Sequence, residues 1–250
     1  MSVTSSDYLR HIRAAVDRVG AGQTAEKHHA AALLTTAVRS GGVIQAFGCG
    51  HSEALAMEIA GRAGGLVPTN RIALRDIVLY GGDPIETLAD PAVERDPAVA
   101  HRLYQLAPVK PDDAFVIASN SGINGAVVEM ALLVKERGHP LIAITSAQHS
   151  AGVAARHPSG RKLGEIADVV LDNGAPYGDA TLALPGGGAV GAVSSITGAL
   201  LAQQIVTEVV ANLLAAGVTP PVYLSDNVPG GKAHNAELEA RYAGRIRRTA

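Results

Sequence analysis

Residues 114–124 join an apolar run, Ala114-Phe-Val-Ile-Ala118, to a hydroxyl-rich turn, Ser119-Asn-Ser-Gly-Ile-Asn124. Residues 126–135 then carry an apolar helical pattern. The run reads as a buried strand, and the whole as strand, turn and helix. The same unit stands upstream: Val43-Ile-Gln-Ala-Phe47 as strand, Gly48-Cys-Gly-His-Ser52 as turn, and 53–63 as a helix closed by Gly64-Gly65. Repetition of this unit constrains the chain to an α/β architecture, a parallel sheet with helices on both faces. Ligands bind such sheets at the carboxyl ends of the strands. Both turns fall there.

The remaining sequence extends the pattern. Residues 5–20 and 24–39 have helical periodicity, broken at Gly20-Ala-Gly22. Residues 72–80 read as strand-like, and 81–97 as a loop carrying Pro84, Pro91 and Pro97. A short helix follows near 98–106. Strands are expected at 141–144 and 167–171, and a long helix from about 190 to 216. Beyond Pro220-Pro221, 223–231 reads as loop and 233–247 as a charged helix. No linker divides the chain. It reads as one domain, 1–217, with a helical N-terminal extension, followed by a C-terminal tail and helix, 218–250.

Composition excludes several classes of function. With 47% hydrophobic and 18% charged residues over 250 positions, the chain can bury a sizeable core and is not disordered. A net charge of −2 lacks the basic footprint of a nucleic-acid binder. The single cysteine, Cys49, excludes an intramolecular disulfide and a multi-cysteine zinc site, and fits a reducing cytoplasm. None of the nine histidines has a metal-binding spacing, so no required metal is expected. The first 20 residues lack the apolar core of a signal peptide. Residues 189–217 are long enough to cross a membrane, but Ser194, Ser195, Gln203, Gln204 and Glu208 within them favour a buried core helix. Arg241, Arg245, Arg247 and Arg248 read as a solvated or subunit-contact face.

The turn at 119–124 has the chemistry of an anion site. A helix N-terminus supplies free N–H groups, serines add donors, and Gly122 allows close backbone approach. No lysine or arginine lies within the turn, so binding would use neutral donors. Gly48-x-Gly50-x-Ser52 has three readings. It is a dinucleotide fingerprint lacking its third glycine, a tight turn that needs glycine, or a second hydroxyl turn facing the same ligand.

Taken together, the paired turns resemble those of the SIS (sugar isomerase) family of phosphosugar isomerases and phosphosugar-binding domains. The resemblance spans about residues 30–217 and includes Ile142-Ala-Ile-Thr145-Ser146 and Ser194-Ser-Ile-Thr197. It implies a three-layer αβα sandwich around a mostly parallel, flavodoxin-like five-stranded sheet. It also implies a phosphorylated sugar as ligand and a homodimer or homotetramer. The small phosphoheptose-isomerase-like members share Gly50-His51-Ser52, Ser119-Asn120-Ser121-Gly122 and Pro229-Gly230-Gly231 with His234-Asn235. By this resemblance Ser52, Ser119, Ser121 and Asn124 hold the phosphate, with Gly50, Asn120, Gly122 and Ser194 completing the substrate site. Asn124 stands where the family usually has Thr or Ser.

The catalytic acids carry over less directly. In phosphoheptose isomerase and N-acetylmuramic acid 6-phosphate etherase a glutamate follows the first turn, where this chain has Arg62. Glu58, four residues earlier on the same helical face, is one candidate; a solvated carboxylate is its other reading. The etherase also has a Gly-Gly-Glu-Pro stretch before its second catalytic glutamate. Gly81-Gly-Asp-Pro84 matches it here, and the same interval reaches Glu94. His51, inside the first turn, is the acid/base or sugar-hydroxyl candidate, and His234 in the tail is placed to enter a neighbour's cleft. Glu129 reads as structural, and Cys49 as turn packing.

Such a site supports removal of the C2 proton of an open-chain sugar, acidified by the C1 carbonyl. Reprotonation at C1 gives isomerisation; loss of the C3 substituent gives elimination. Neither needs a cofactor. The match at Gly81–Glu94 favours elimination, with an amino-sugar 6-phosphate such as N-acetylglucosamine 6-phosphate as substrate. The alternatives are an aldose–ketose isomerase and a non-catalytic phosphosugar-binding regulator. No nucleic-acid or membrane partner is expected.

Overall fold

The computed structural model describes residues 3–248. Two helices, α1 (Ser5–Ala21) and α2 (Thr24–Arg39), lead into the sheet. Thr4 starts α1 by accepting the Asp7 N–H on its hydroxyl, satisfying one of the helix's free donors. The sheet comprises β1 (Ile44–Gly48), β2 (Thr69–Ile72), β3 (Ala114–Ala118), β4 (Leu141–Thr145) and β5 (Val169–Asp172). Its order is β2-β1-β3-β4-β5, and every pairing is parallel. Between the strands run α3 (Glu53–Ile59), α4 (Asp76–Leu79), α5 (Ala98–Leu106), α6 (Gly125–Glu136) and α7 (Ala147–Ala151).

The central strands feed two cores, because successive side chains point to opposite faces. From β3, Ala114, Val116 and Ala118 join Leu34, Leu55, Ile59 and Leu201 on one side. Phe115 and Ile117 join Leu103, Val127 and Met130 on the other. This double burial makes the strands continuous apolar runs and places helices on both faces. The architecture is the expected α/β three-layer sandwich.

After β5 an antiparallel hairpin, β6 (Ala180–Ala183) and β7 (Ala189–Ala192), precedes α8 (Ser194–Ala215). α8 has the length and apolarity of a membrane span. Its Leu201, Ile205, Val209 and Leu213 are nevertheless buried, packed with α2 and α3 in the first core. The last helix is α9 (Gly231–Ala240).

Several segments differ from the sequence reading. Residues 72–80 are not a strand: only Ile72 belongs to β2, and 76–79 form α4. The strand instead begins at Thr69, a polar start buried at the sheet edge. Residues 189–192 form a strand rather than the opening of the long helix, because Gly186-Gly-Gly188 turn the chain back on itself. The first crossover helix stops at Ile59 and the last helix at Ala240.

Of the tail arginines, Arg241 is solvated, pairing with exposed Glu237, but Arg245, Arg247 and Arg248 are not. Arg245 reaches the buried Asp113 carboxylate and the Pro108 carbonyl. Arg248 donates to the Val67 and Thr69 carbonyls at 2.8 and 2.9 Å. The Arg247 N–H meets Asn70 Oδ1 at 2.9 Å. Asp113 also accepts the Val43 N–H and the Gln45 amide, each at 2.8 Å, and Gln45 accepts from Asn70 at 2.9 Å. A buried polar ladder thus crosses β2, β1 and β3 at the amino end of the sheet. The tail closes that end, opposite the turns.

Candidate functional site

The chain runs from β1 outward to β2, then crosses back to β3 on the other side of β1. Such a reversal opens a crevice beyond the carboxyl ends of the two central strands. The turns Gly48–Ser52 and Ser119–Asn124 both emerge there. Gly48 is required by space, because a Cβ would collide with the Ser52 carbonyl as the turn folds back. Gly122 is required by conformation, with φ of 68°.

Between the turns lies a cleft of about 170 Å³. His51 and Ser52 line it from the first turn, Ser119 and Asn120 from the second, and Ser194 and Ser195 from the start of α8. Its volume is below the roughly 300–1,000 Å³ of drug-sized pockets and suits a small ligand. No lysine or arginine lines it among the described residues. Buried Ser119 accepts the Gly122 N–H at 3.1 Å. Asn120 is fixed on both sides: its carbonyl accepts the Thr145 hydroxyl at 3.2 Å, and its Oδ1 accepts the Asn173 amide at 3.1 Å.

Five sequence-predicted residues therefore share one cleft: His51, Ser52, Ser119, Asn120 and Ser194. Gly50, Ser121, Gly122 and Asn124 build the same turns without lining it. Asn124 is the N-cap of α6, and its side chain makes no capping bond.

Glu94 flanks the first turn. Its Oε2 lies 3.7 Å from the position a Cβ would take on Gly50. Residues 81–97, a loop by sequence, hold it there. Asp83 pairs with Arg102 of α5 through both carboxylate oxygens, at 2.5 and 2.6 Å, and these hydrogen bonds hold the Asp83 carboxyl below its usual range. The Arg95 carbonyl packs so closely on Gly125 that no side chain fits there. Cys49, at the end of β1, has its thiol pushed well above the ordinary range, first by burial and then by the Glu94 and Glu53 carboxylates.

Two other candidates lie elsewhere. Glu58 pairs with Arg62 and accepts the Gln203 amide at 2.7 Å; it lines a different surface, with Met57 and Ala63. His234, exposed on α9, bonds the Val222 carbonyl at 3.0 Å. Glu129 bridges His101 and His157 at 2.7 and 2.8 Å, tying α5 and α6 to the loop at 157. No group of three His, Cys, Asp or Glu is placed to hold a metal among the described residues.

Sequence reasoning missed Asn173 and Asp179, both in the cleft wall. The dipeptides Asn173-Gly174 and Gly178-Asp179 are turn signals, and those turns aim both side chains inward.

Known proteins are similar to this chain. A UPF0309 protein of Listeria monocytogenes serovar 1/2a is 39% identical, over 98% of this chain and 99% of its own. The structure of a phosphoheptose isomerase from Francisella tularensis superposes with a TM-score of 0.55 at 15% identity, covering 83% of this chain and 98% of that one. One from Neisseria gonorrhoeae gives 0.53 at 19% identity, over 82% and 96%. Residues 7–146 match the model of the SIS domain, and the chain belongs to the SIS-domain family.

Proposed function

We propose that the cleft holds a phosphorylated sugar and that the protein removes its C2 proton, eliminating water from an amino-sugar 6-phosphate such as N-acetylglucosamine 6-phosphate. The observation that carries the reading is Glu94. Its carboxylate stands beside Gly50, the residue before the cleft-lining His51, with no hydrogen bond or ion pair among the described residues. A carboxylate so placed is free to accept a proton.

In this scheme the hydroxyls of Ser52, Ser119 and Ser121 and the N-terminus of α6 at Asn124 hold the phosphate. Glu94 takes the C2 proton, and the electron pair forms the enolate with the C1 carbonyl. That pair then forms the C2–C3 double bond as the C3–O bond breaks. His51 gives its proton to the departing hydroxyl, which leaves as water. The 2-acetamido group blocks ketose formation and leaves this exit open. Glu58, held by Arg62 and Gln203, is the less suited base. The scheme carries with it a cytoplasmic location and a homodimer or homotetramer, in which a neighbour's tail would bring His234 to the cleft.

Aldose–ketose isomerisation is the second reading. It shares the first step, and the phosphoheptose isomerases among the similar structures support it. The deciding experiment is incubation with amino-sugar and heptose phosphates, followed by mass spectrometry. Loss of water supports elimination, and unchanged mass with a new retention time supports isomerisation. Binding without turnover of any sugar would leave a phosphosugar-binding regulator.

A further inference from the structure

One end of the cleft has a hydrogen-bonding polarity set by Asp179 and Ser194. Asp179 precedes β6 with φ of 67°, a left-handed conformation unusual for a residue with a side chain. Its surroundings enforce it. The Asp179 N–H donates to the Pro176 carbonyl at 2.9 Å, and the Gly178 N–H donates to His149 Nδ1 at 3.1 Å. The carboxylate is thereby aimed at the start of α8. Oδ1 accepts the N–H groups of Val193 and Ser194 at 3.1 and 2.8 Å, and Oδ2 accepts the Ser194 hydroxyl at 2.7 Å. The Ile196 and Thr197 N–H groups turn back to the Val193 carbonyl. Among the described residues, Ser195 alone in this turn keeps its N–H for a ligand.

Two consequences follow from this arrangement. The place at which α8 would favour an anion is already filled by the chain's own carboxylate, so a second anion there meets like charge. Ser194 has one hydroxyl proton, and Asp179 takes it. Ser194 Oγ and the remaining lone pair of Asp179 Oδ2 can then only accept. Ser119 differs: its hydroxyl accepts from Gly122, so its proton remains available to a ligand. At one end the cleft therefore offers the Asp179 and Ser194 acceptors and the carboxylate's charge, with the Ser195 N–H as donor beside them; at the other it offers the Ser119 donor.

We propose that Asp179 and Ser194 are specificity-determining residues that accept from a hydroxyl or amide N–H of the sugar and exclude its phosphate. A phosphosugar then has one direction in the cleft, with its phosphate toward Ser52 and Ser119 and a donor-bearing carbon toward Asp179. The inference rests on the phosphosugar reading and adds orientation and selectivity to it.

The test is calorimetric titration of the full chain with inorganic phosphate and with N-acetylglucosamine 6-phosphate. The proteins are the wild type, Ser194→Ala and Asp179→Asn. Asparagine keeps an acceptor for the helix N–H groups but presents an amide donor to Ser194, turning the serine proton toward the cleft. Both variants are expected to bind the sugar phosphate about tenfold or more weakly, the scale of one lost hydrogen bond to a charged group. Inorganic phosphate should bind Ser194→Ala unchanged and Asp179→Asn more tightly. Equal losses for the two ligands, or no loss for the sugar phosphate, would overturn the inference alone. If Asp179→Asn does not fold, Ser194→Ala decides, since Asp179 still caps the helix there. A wild type that binds neither probe overturns the phosphosugar reading, and this inference with it.

Discussion

Ser119 Oγ accepts the N–H of Gly122 at 3.1 Å, within the turn that joins β3 to α6. This bond holds the turn in the shape that puts the serine proton into the cleft. Ser119→Ala removes the ligand's donor and the brace together. We expect the dissociation constant for a phosphosugar to rise about ten- to a hundredfold, measured by calorimetry. Unchanged affinity would remove Ser119 from the site.

Glu94→Gln preserves the size of the side chain and removes its basicity. Under the proposed scheme it lowers kcat by about two to four orders of magnitude. Binding of the substrate should change little, because Glu94 does not line the cleft. Glu58→Gln is the contrasting variant and should retain turnover. Activity in Glu94→Gln with its loss in Glu58→Gln would exchange the two roles.

Burial and the neighbouring Glu94 and Glu53 carboxylates push the Cys49 thiol upward. Only the thiolate attacks alkylating reagents, so the native protein should resist iodoacetamide at pH 8, where the unfolded chain reacts readily. Because the thiol ionises less readily in the folded state than in the unfolded state, raising the pH through the ordinary thiol range should cost stability. Thermal melts between pH 7 and 9 on wild type and Cys49→Ala would show the steeper slope in the wild type; above that range Tyr104, Tyr223 and Tyr242, which burial also pushes up, add to both. Rapid native labelling would contradict the assignment of Cys49 to turn packing.

Arg245 and Asp113 form an ion pair at the closed end of the sheet, with Asp113 fully buried. Removing the arginine leaves a buried carboxylate with neutral donors only. Arg245→Ala should destabilise by about 3 kcal/mol, the lower end for breaking such a pair. For a chain of this size that lowers Tm by about 6–12 °C. Ligand affinity should not change, because the pair lies at the far end of the strands from the cleft.

The parts visible in the sequence were those governed by local pattern. β3 and α2 have the bounds that periodicity predicted, and the two hydroxyl turns lie where strand followed by helix required. The hairpin β6–β7 was hidden, because its strands are largely exposed and rich in alanine and glycine, with little alternation to read. β2 was misplaced because its buried residues include the polar Thr69 and Asn70; Thr69 donates to the nearby Leu66 carbonyl, and Asn70 is held by Gln45 and Arg247, both distant in sequence. Arg245, Arg247 and Arg248 read as surface because their partners too are distant. Asp179 carried only a turn signal; its position at α8 depends on Pro176 and His149 holding a left-handed backbone.

The Arg245–Asp113 pair spans 132 positions of sequence. Protein synthesis delivers the arginine well after β1, β2 and β3 are free to associate. Until then the central sheet carries a carboxylate in its interior without its cation, and contacts of such long separation form slowly. Completion of the sheet's interior is therefore a late, long-range step in folding.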